Sequence, residues 1–282
     1  MQLWYSLVGL LPFEWAAPGA MYFMKNALLA VLVISPLFGL LSTMVVTNRM
    51  SFFSDALGHS AFTGIAIGTL CGFADPMWCA VLLAAAFALL FTYVRHRSNM
   101  ASDTVIGVFS STAVALGIFI ATLDGGSFTK FNSLLIGDIL SVEPGKIALL
   151  AAILLVVVVL WVCAFNQLML ASIHPALADS RGVKVFWQEA VFTVAIAVVV
   201  TVSMTWVGLL VINSLLVLPA ASARNLARNM RQYHLISLLG AIVAGVAGLM
   251  TSYYIGSSAG ASITLYLAIW FAITFLLRKT RM

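Results

Sequence analysis

A chain of 282 residues that is 63% hydrophobic and 8% charged, with a mean hydropathy of +1.10, lacks the polar surface needed to cover a soluble core. Composition excludes soluble, disordered, collagen-like and disulfide-stapled classes, and the chain reads as an integral membrane protein. Its net charge of +5 would point a soluble protein toward nucleic acid; here the placement of charges along the apolar segments carries the information, and no nucleic-acid partner is expected.

The first twenty residues lack the basic region of a signal peptide, and Trp4, Tyr5 and Trp15 read as interfacial anchors. They predict a retained extracytoplasmic surface helix within 1–24, followed by one transmembrane domain over 25–282. Apolar segments fall at 25–47, 51–72, 76–94, 103–123, 146–166, 187–205, 207–218, 235–255 and 258–277. Because 207–218 is short, eight and nine crossings both stand. Cys71, Cys79 and Cys163 each lie in an apolar run and read as small buried hydrophobes. The polar connection from Gln167 to Trp187 is too short for a second folded domain.

With the amino terminus outside, the loops predicted to be cytoplasmic hold Arg49, Arg95, Arg97, Arg181, Lys184, Arg224, Arg228, Arg231, Arg278, Lys279 and Arg281. Only Lys25, Lys130 and Lys146 fall on the other side. This asymmetry obeys the positive-inside rule and puts the carboxyl terminus in the cytoplasm.

The stretch Arg49–Gly64 holds the chemistry. For a helix starting near Arg49, Asp55 lies about 9 Å and His59 about 15 Å into a hydrocarbon layer of roughly 30 Å. Their spacing of four puts both side chains on one face, where a carboxylate oxygen and an imidazole nitrogen could grip one divalent cation. A charged Asp at a helix centre costs about 2.5–3.5 kcal/mol on insertion scales, and such residues usually line an ion path. Three readings remain open from spacing alone: metal handling, a structural pair satisfied by each other or by Ser54 and Ser60, and a proton relay. Behind the pair, Gly64, Gly68 and Gly72 form a ridge suited to close packing against another helix or to a dimer seam.

Met50-Ser-Phe-Phe-Ser-Asp-Ala-Leu-Gly-His-Ser-Ala resembles a signature of the permeases of zinc, manganese and iron ABC importers. Further matching elements follow in order: Ser102-Asp-Thr-Val-Ile-Gly-Val, Leu135-Ile-Gly-Asp-Ile-Leu-Ser-Val, Pro175-Ala-Leu-Ala with Arg181-Gly-Val, the block from Val207 to Arg228, and Ser252-Tyr-Tyr with Gly260-Ala-Ser. The resemblance implies an all-α polytopic permease of the type II, cobalamin-importer-like fold. It also implies a homodimer, two cytoplasmic ATPase subunits, an extracytoplasmic metal-binding protein and residence in the bacterial inner membrane. The family's translocation ligands carry over to Asp55 and His59, which a two-fold dimer would present twice. Asn213 departs from the Thr or small residue usual at its position; an added polar group on the pathway and an interhelical hydrogen bond both fit it.

No G-x-x-x-x-G-K-[ST] loop exists, since the Gly145-Lys146 pair lacks both the upstream Gly and the following hydroxyl residue. A separate ATPase must therefore supply the energy. Its predicted platform is a helix opening at Pro219 and running to Arg231, with Arg224, Arg228 and Arg231 on one basic face; the same residues could instead anchor the chain to anionic lipid. Ser102-Asp103 reads as a helix cap. Asp75, Asp124, Asp138 and Glu143 read as solvated outer loop charges or an acidic entrance, and His96, His174 and His234 as surface or interface groups.

The expectation is thus a transporter subunit, not itself an enzyme, with no permanently bound cofactor. It passes a divalent transition metal inward, zinc ahead of manganese or iron. The alternatives are a permease for a metal chelate such as a siderophore or cobalamin, an intramembrane metalloenzyme, disfavoured because no H-E-x-x-H is present, and a passive channel.

Overall fold

The computed structural model describes residues 2–9, 14–17, 21–73, 75–98, 100–123 and 137–279. Asp124, Lys130, Leu135, Ile136 and Arg281, which figured in the sequence reading, lie outside the described residues. Within them the chain is all-helical: α1 (Gln2–Val8), α2 (Tyr22–Thr47), α3 (Phe53–Leu70), α4 (Pro76–Arg97), α5 (Ser102–Leu123), α6 (Pro144–Ile173), α7 (Pro175–Ser180), α8 (Val185–Val207), α9 (Leu209–Leu226), α10 (Met230–Ile255) and α11 (Ala259–Lys279). Two short 3-10 turns, Glu14–Ala16 and Ile139–Ser141, complete it. All nine apolar segments are helices.

Eight of the long helices are long and apolar enough to cross a membrane. The exception is α3, whose Asp55, His59 and hydroxyl side chains lower its hydropathy. It can carry that polarity because it is enclosed, packing against α4, α5, α8 and α9. The connections alternate between two ends, and among the described residues Arg49, Arg95, Arg97, Arg181, Lys184, Arg224, Arg228, Arg231 and Arg278 gather at one of them, with Lys25 and Lys146 at the other. Arg95 ties down the turn between α2 and α3. Its guanidinium donates to the Asn48 carbonyl at 3.3 Å and reaches the Met50 sulfur at 3.3 Å, and it faces Glu189 of α8 at 4.0 Å.

Several expectations need correction. Trp15 is not an interfacial anchor but is fully buried. Trp4 and Tyr5 are half-buried and donate to the Lys25 carbonyl and the Asn26 side-chain oxygen, at 2.9 and 2.8 Å. The amino-terminal segment is thereby fastened over the start of α2, and Lys25 is buried too, its ammonium donating to the Ala17 carbonyl at 2.9 Å beside the Tyr22 ring. Helix α6 runs on through Gln167 to Ile173, so the polar connection shrinks to 174–184 and holds α7. Cys71 and Cys163 are exposed rather than buried, which an apolar surface facing lipid tolerates.

No helix begins at Pro219. It lies buried inside α9, which continues to Leu226, and α10 starts after Asn229, whose side chain caps it by accepting from Gln232 N. A proline forfeits one backbone hydrogen bond, and tight packing inside a membrane bundle tolerates that loss. Arg224, Arg228 and Arg231 therefore flank a helix–turn–helix corner instead of sharing one helical face. All three are exposed.

The glycine ridge packs within the chain. A Cβ on Gly64 would lie 2.5 Å from Ala80 Cα, and one on Gly68 3.0 Å from Pro76 Cα, so α3 and α4 meet backbone to backbone. Gly72, with φ of 72°, closes the helix in the left-handed conformation. We expect Gly64→Val to destabilise the fold by about 1–3 kcal/mol or more, because the clash is with backbone that cannot rotate away. Gly107→Val, where nothing lies within 4 Å, serves as the control. Thermal unfolding in detergent should separate the two; equal melting temperatures would refute backbone contact at Gly64.

Candidate metal-binding site

Helix α3 starts at Phe53, not near Arg49. Asn48 to Phe52 form a turn in which Arg49 has a positive φ of 56°, and Phe53 anchors the start by packing its ring 4.6 Å from that of Phe91. Asp55 thus falls in the first turn of α3. Along this helix Asp55 is only about 3 Å and His59 about 9 Å from the start, shallower than predicted.

The depth is recovered by a second helix. Asn213 of α9 donates its side-chain N–H to Asp55 Oδ1 at 3.1 Å, and one turn along α3, Gly58 faces the Leu209 side chain. These two contacts pair α3 and α9 in opposite directions near the start of each. From Asp55 to the end of α3 at Leu70 is about 22 Å, and from Asn213 to the end of α9 at Leu226 about 20 Å. The pair therefore sits near the middle of the combined length of the two helices, which overlap around their starts.

His59 Nε2 lies 3.4 Å from Asp55 Oδ2, longer than a well-formed hydrogen bond of about 2.7–3.2 Å. That separation suits two ligands of one small cation. The Asp55 side chain is 41% exposed and that of His59 16%, so the carboxylate opens away from the helix bundle and an ion could reach it. No group of three or more His, Cys, Asp or Glu side chains able to hold a metal occurs among the described residues. Among the described residues, the Asp55–His59 pair is therefore without a third such side chain beside it.

The remaining sequence candidates separate from this cluster. Asp75 caps α4 by accepting from Met77 N at 3.0 Å, and Asp138 caps the 3-10 turn by accepting from Leu140 N at 3.1 Å. Glu143 pairs with Lys146 at 3.6 Å. Helix α5 begins at Ser102 with Asp103 in its first turn. His96 and His174 are exposed, and His234 is half-buried among Trp161, Phe165 and Tyr233. At the basic end, Arg49, Arg224 and Arg228 line a cleft of about 560 Å³ with Thr47, Asn229 and Tyr233; Arg231 and Pro219 are not among its lining.

Gly58 makes room for the Leu209 side chain between α3 and α9, since a Cβ there would meet its methyls at 2.5 Å unless that side chain turned away. We expect Gly58→Val to separate Asp55 from Asn213 and to lower metal uptake, and Leu209→Ala to restore part of it by vacating the space. Uptake assays on the single and double variants check this; a double variant as impaired as the single one would show that the spacing is not what matters.

Residues 20–278 match the model of the ABC 3 transport family. The manganese import system permease protein ScaB of Streptococcus gordonii is 29% identical over 254 residues, covering 90% of this chain and 91% of that protein. The high-affinity zinc uptake system membrane protein ZnuB of Haemophilus influenzae is 25% identical over 253 residues, covering 90% and 97%. Among solved structures, PsaBC from Streptococcus pneumoniae in complex with Fab superposes with a TM-score of 0.77 at 28% identity, over 98% of this chain and 95% of the other. Motif, helix arrangement and a match along nearly the whole chain lead to one conclusion: this chain belongs to the ABC 3 transport family.

Proposed function

We propose that the chain is the membrane-spanning permease of an ATP-driven importer that carries zinc into the cytoplasm, with Asp55 and His59 as the transient ligands of the ion. The observation that carries this reading is the juxtaposition, at 3.4 Å, of a carboxylate oxygen and an imidazole nitrogen on one face of an otherwise enclosed helix, close enough to share one cation. Relatives named for manganese and for zinc uptake support metal as the cargo. Zinc is preferred here because a site with few side-chain ligands suits a four-coordinate ion.

Two ligands per chain hold an ion loosely, which transport requires, because a closed four-ligand site would not release its cargo. In a homodimer the two-fold axis would bring a second Asp55 and His59 to the open side of the first pair, allowing up to four ligands at the moment of passage. An extracytoplasmic binding protein would deliver the ion. The end rich in arginine faces the cytoplasm in this reading. A cytoplasmic ATPase would dock there against the corner formed by Arg224, Arg228 and Arg231.

Asp55→Ala and His59→Ala are each expected to reduce zinc uptake by at least about 10–100-fold, since loss of a ligand should cost no less than loss of a supporting group, while assembly with the ATPase is unchanged. Retained uptake in both variants would point instead to a metal chelate moving through a path without ligands. Charge reversal at the corner, Arg224→Glu with Arg228→Glu, should leave the permease folded but lower co-purification of the ATPase. If these variants bind the ATPase as wild type does, the corner is not the docking surface.

A further inference from the structure

We propose that Asn213 is a positioning residue that makes Asp55 a one-oxygen ligand and thereby favours zinc over manganese. This rests on the reading of Asp55 and His59 as cargo ligands and goes beyond it. The side-chain amide of Asn213 can face the carboxylate only with its N–H group; turned over, it would set one acceptor oxygen against another. With the N–H donated to Asp55 Oδ1 at 3.1 Å, the Asn213 oxygen points away, buried and without a hydrogen-bond partner among the described residues. Asn213 therefore acts through Asp55 and is not itself placed to ligate.

The consequence for Asp55 is a division of labour between its two oxygens. Oδ1 is occupied by the amide, and Oδ2 faces His59. A four-coordinate zinc ion needs one oxygen from such a carboxylate. Ions that prefer larger, oxygen-rich shells gain from a carboxylate offering both oxygens, and manganese belongs with the metals served by carboxylate, carbonyl and water. An N–H donated to Oδ1 takes up one of its lone pairs and draws on its charge, which weakens it as the second oxygen that manganese would use and zinc would not. Groups of this kind, one step behind a ligand, are worth about 10–100-fold in metal affinity.

The test compares uptake of radiolabelled zinc and manganese, supplied together at equal concentration, by proteoliposomes containing the complete transporter. Asn213→Ala removes the donor. Asn213→Leu keeps roughly the side chain's volume while removing the donor without adding a charge or a new ligand, so it separates the hydrogen bond from packing and decides the matter if the alanine variant fails to fold. In both, the ratio of zinc to manganese transported should fall about tenfold, with manganese uptake maintained or raised. An unchanged ratio, or a parallel loss of both metals, overturns the proposal. Asp55→Ala in the same assay separates the two levels of inference. If it abolishes transport while the Asn213 variants keep the wild-type ratio, only the positioning role fails; if it leaves both metals moving, the assignment of the ligands fails as well.

Discussion

A carboxylate within a membrane helix must be held, and the hold on Asp55 shapes this fold. Leaving such a group unsatisfied costs a few kcal/mol, of the order of the whole stability of many domains. Asp55 is met by His59 from its own helix and by Asn213 from α9. Because Asn213 lies near the start of α9 and Asp55 near the start of α3, satisfying the carboxylate fixes the lengthwise register of two helices far apart in the sequence. The small residue Gly58 lets them come close enough for the bond to form. Site and packing are consequently one constraint: what moves α9 relative to α3 also changes the surroundings of the carboxylate.

The nine helices were legible because a membrane span needs an unbroken apolar run, and that pattern survives without tertiary information. Asp55 and His59 were legible for the complementary reason that a charge in such a run is conspicuous. What could not be read depended on partners distant in sequence. Trp15 looks like a headgroup anchor until α1 and the start of α2 fold over it, and Lys25 looks like a loop charge until the Ala17 carbonyl satisfies it. Pro219 carries the same local signal whether it opens a helix or interrupts one; burial, invisible in the sequence, decides. Asn213 stood out as an oddity in its motif, yet its role became concrete only when its amide was found on Asp55.

The basic end follows a different logic from the site. Glu189 is paired there with Arg95, which also holds the turn leading into α3, so the entry to the site helix is braced from the end where the arginines gather. The cleft formed by Arg49, Arg224 and Arg228 joins that same turn to the corner between α9 and α10. Both helices bearing the Asp55 contact therefore have a terminus or an adjoining turn at this cleft. Helix α9, about 27 Å long and carrying Pro219 between the two points, connects this corner to the residue that holds the carboxylate.

That connection bears on how a loosely bound ion could be moved in one direction. An ion held by two ligands leaves readily, so direction cannot come from affinity at a fixed site; it has to come from changing which side the site faces, or how well the ligands are held, in step with an energy source. Asn213 is the one group in the cluster that belongs to α9, whereas Asp55 and His59 belong to α3. Sliding or rotating α9 would leave Asp55 and His59 in place while altering the hold on the carboxylate. On the proposed assignment of Asp55 and His59 as ligands, a cluster built wholly on α3 would lack that handle.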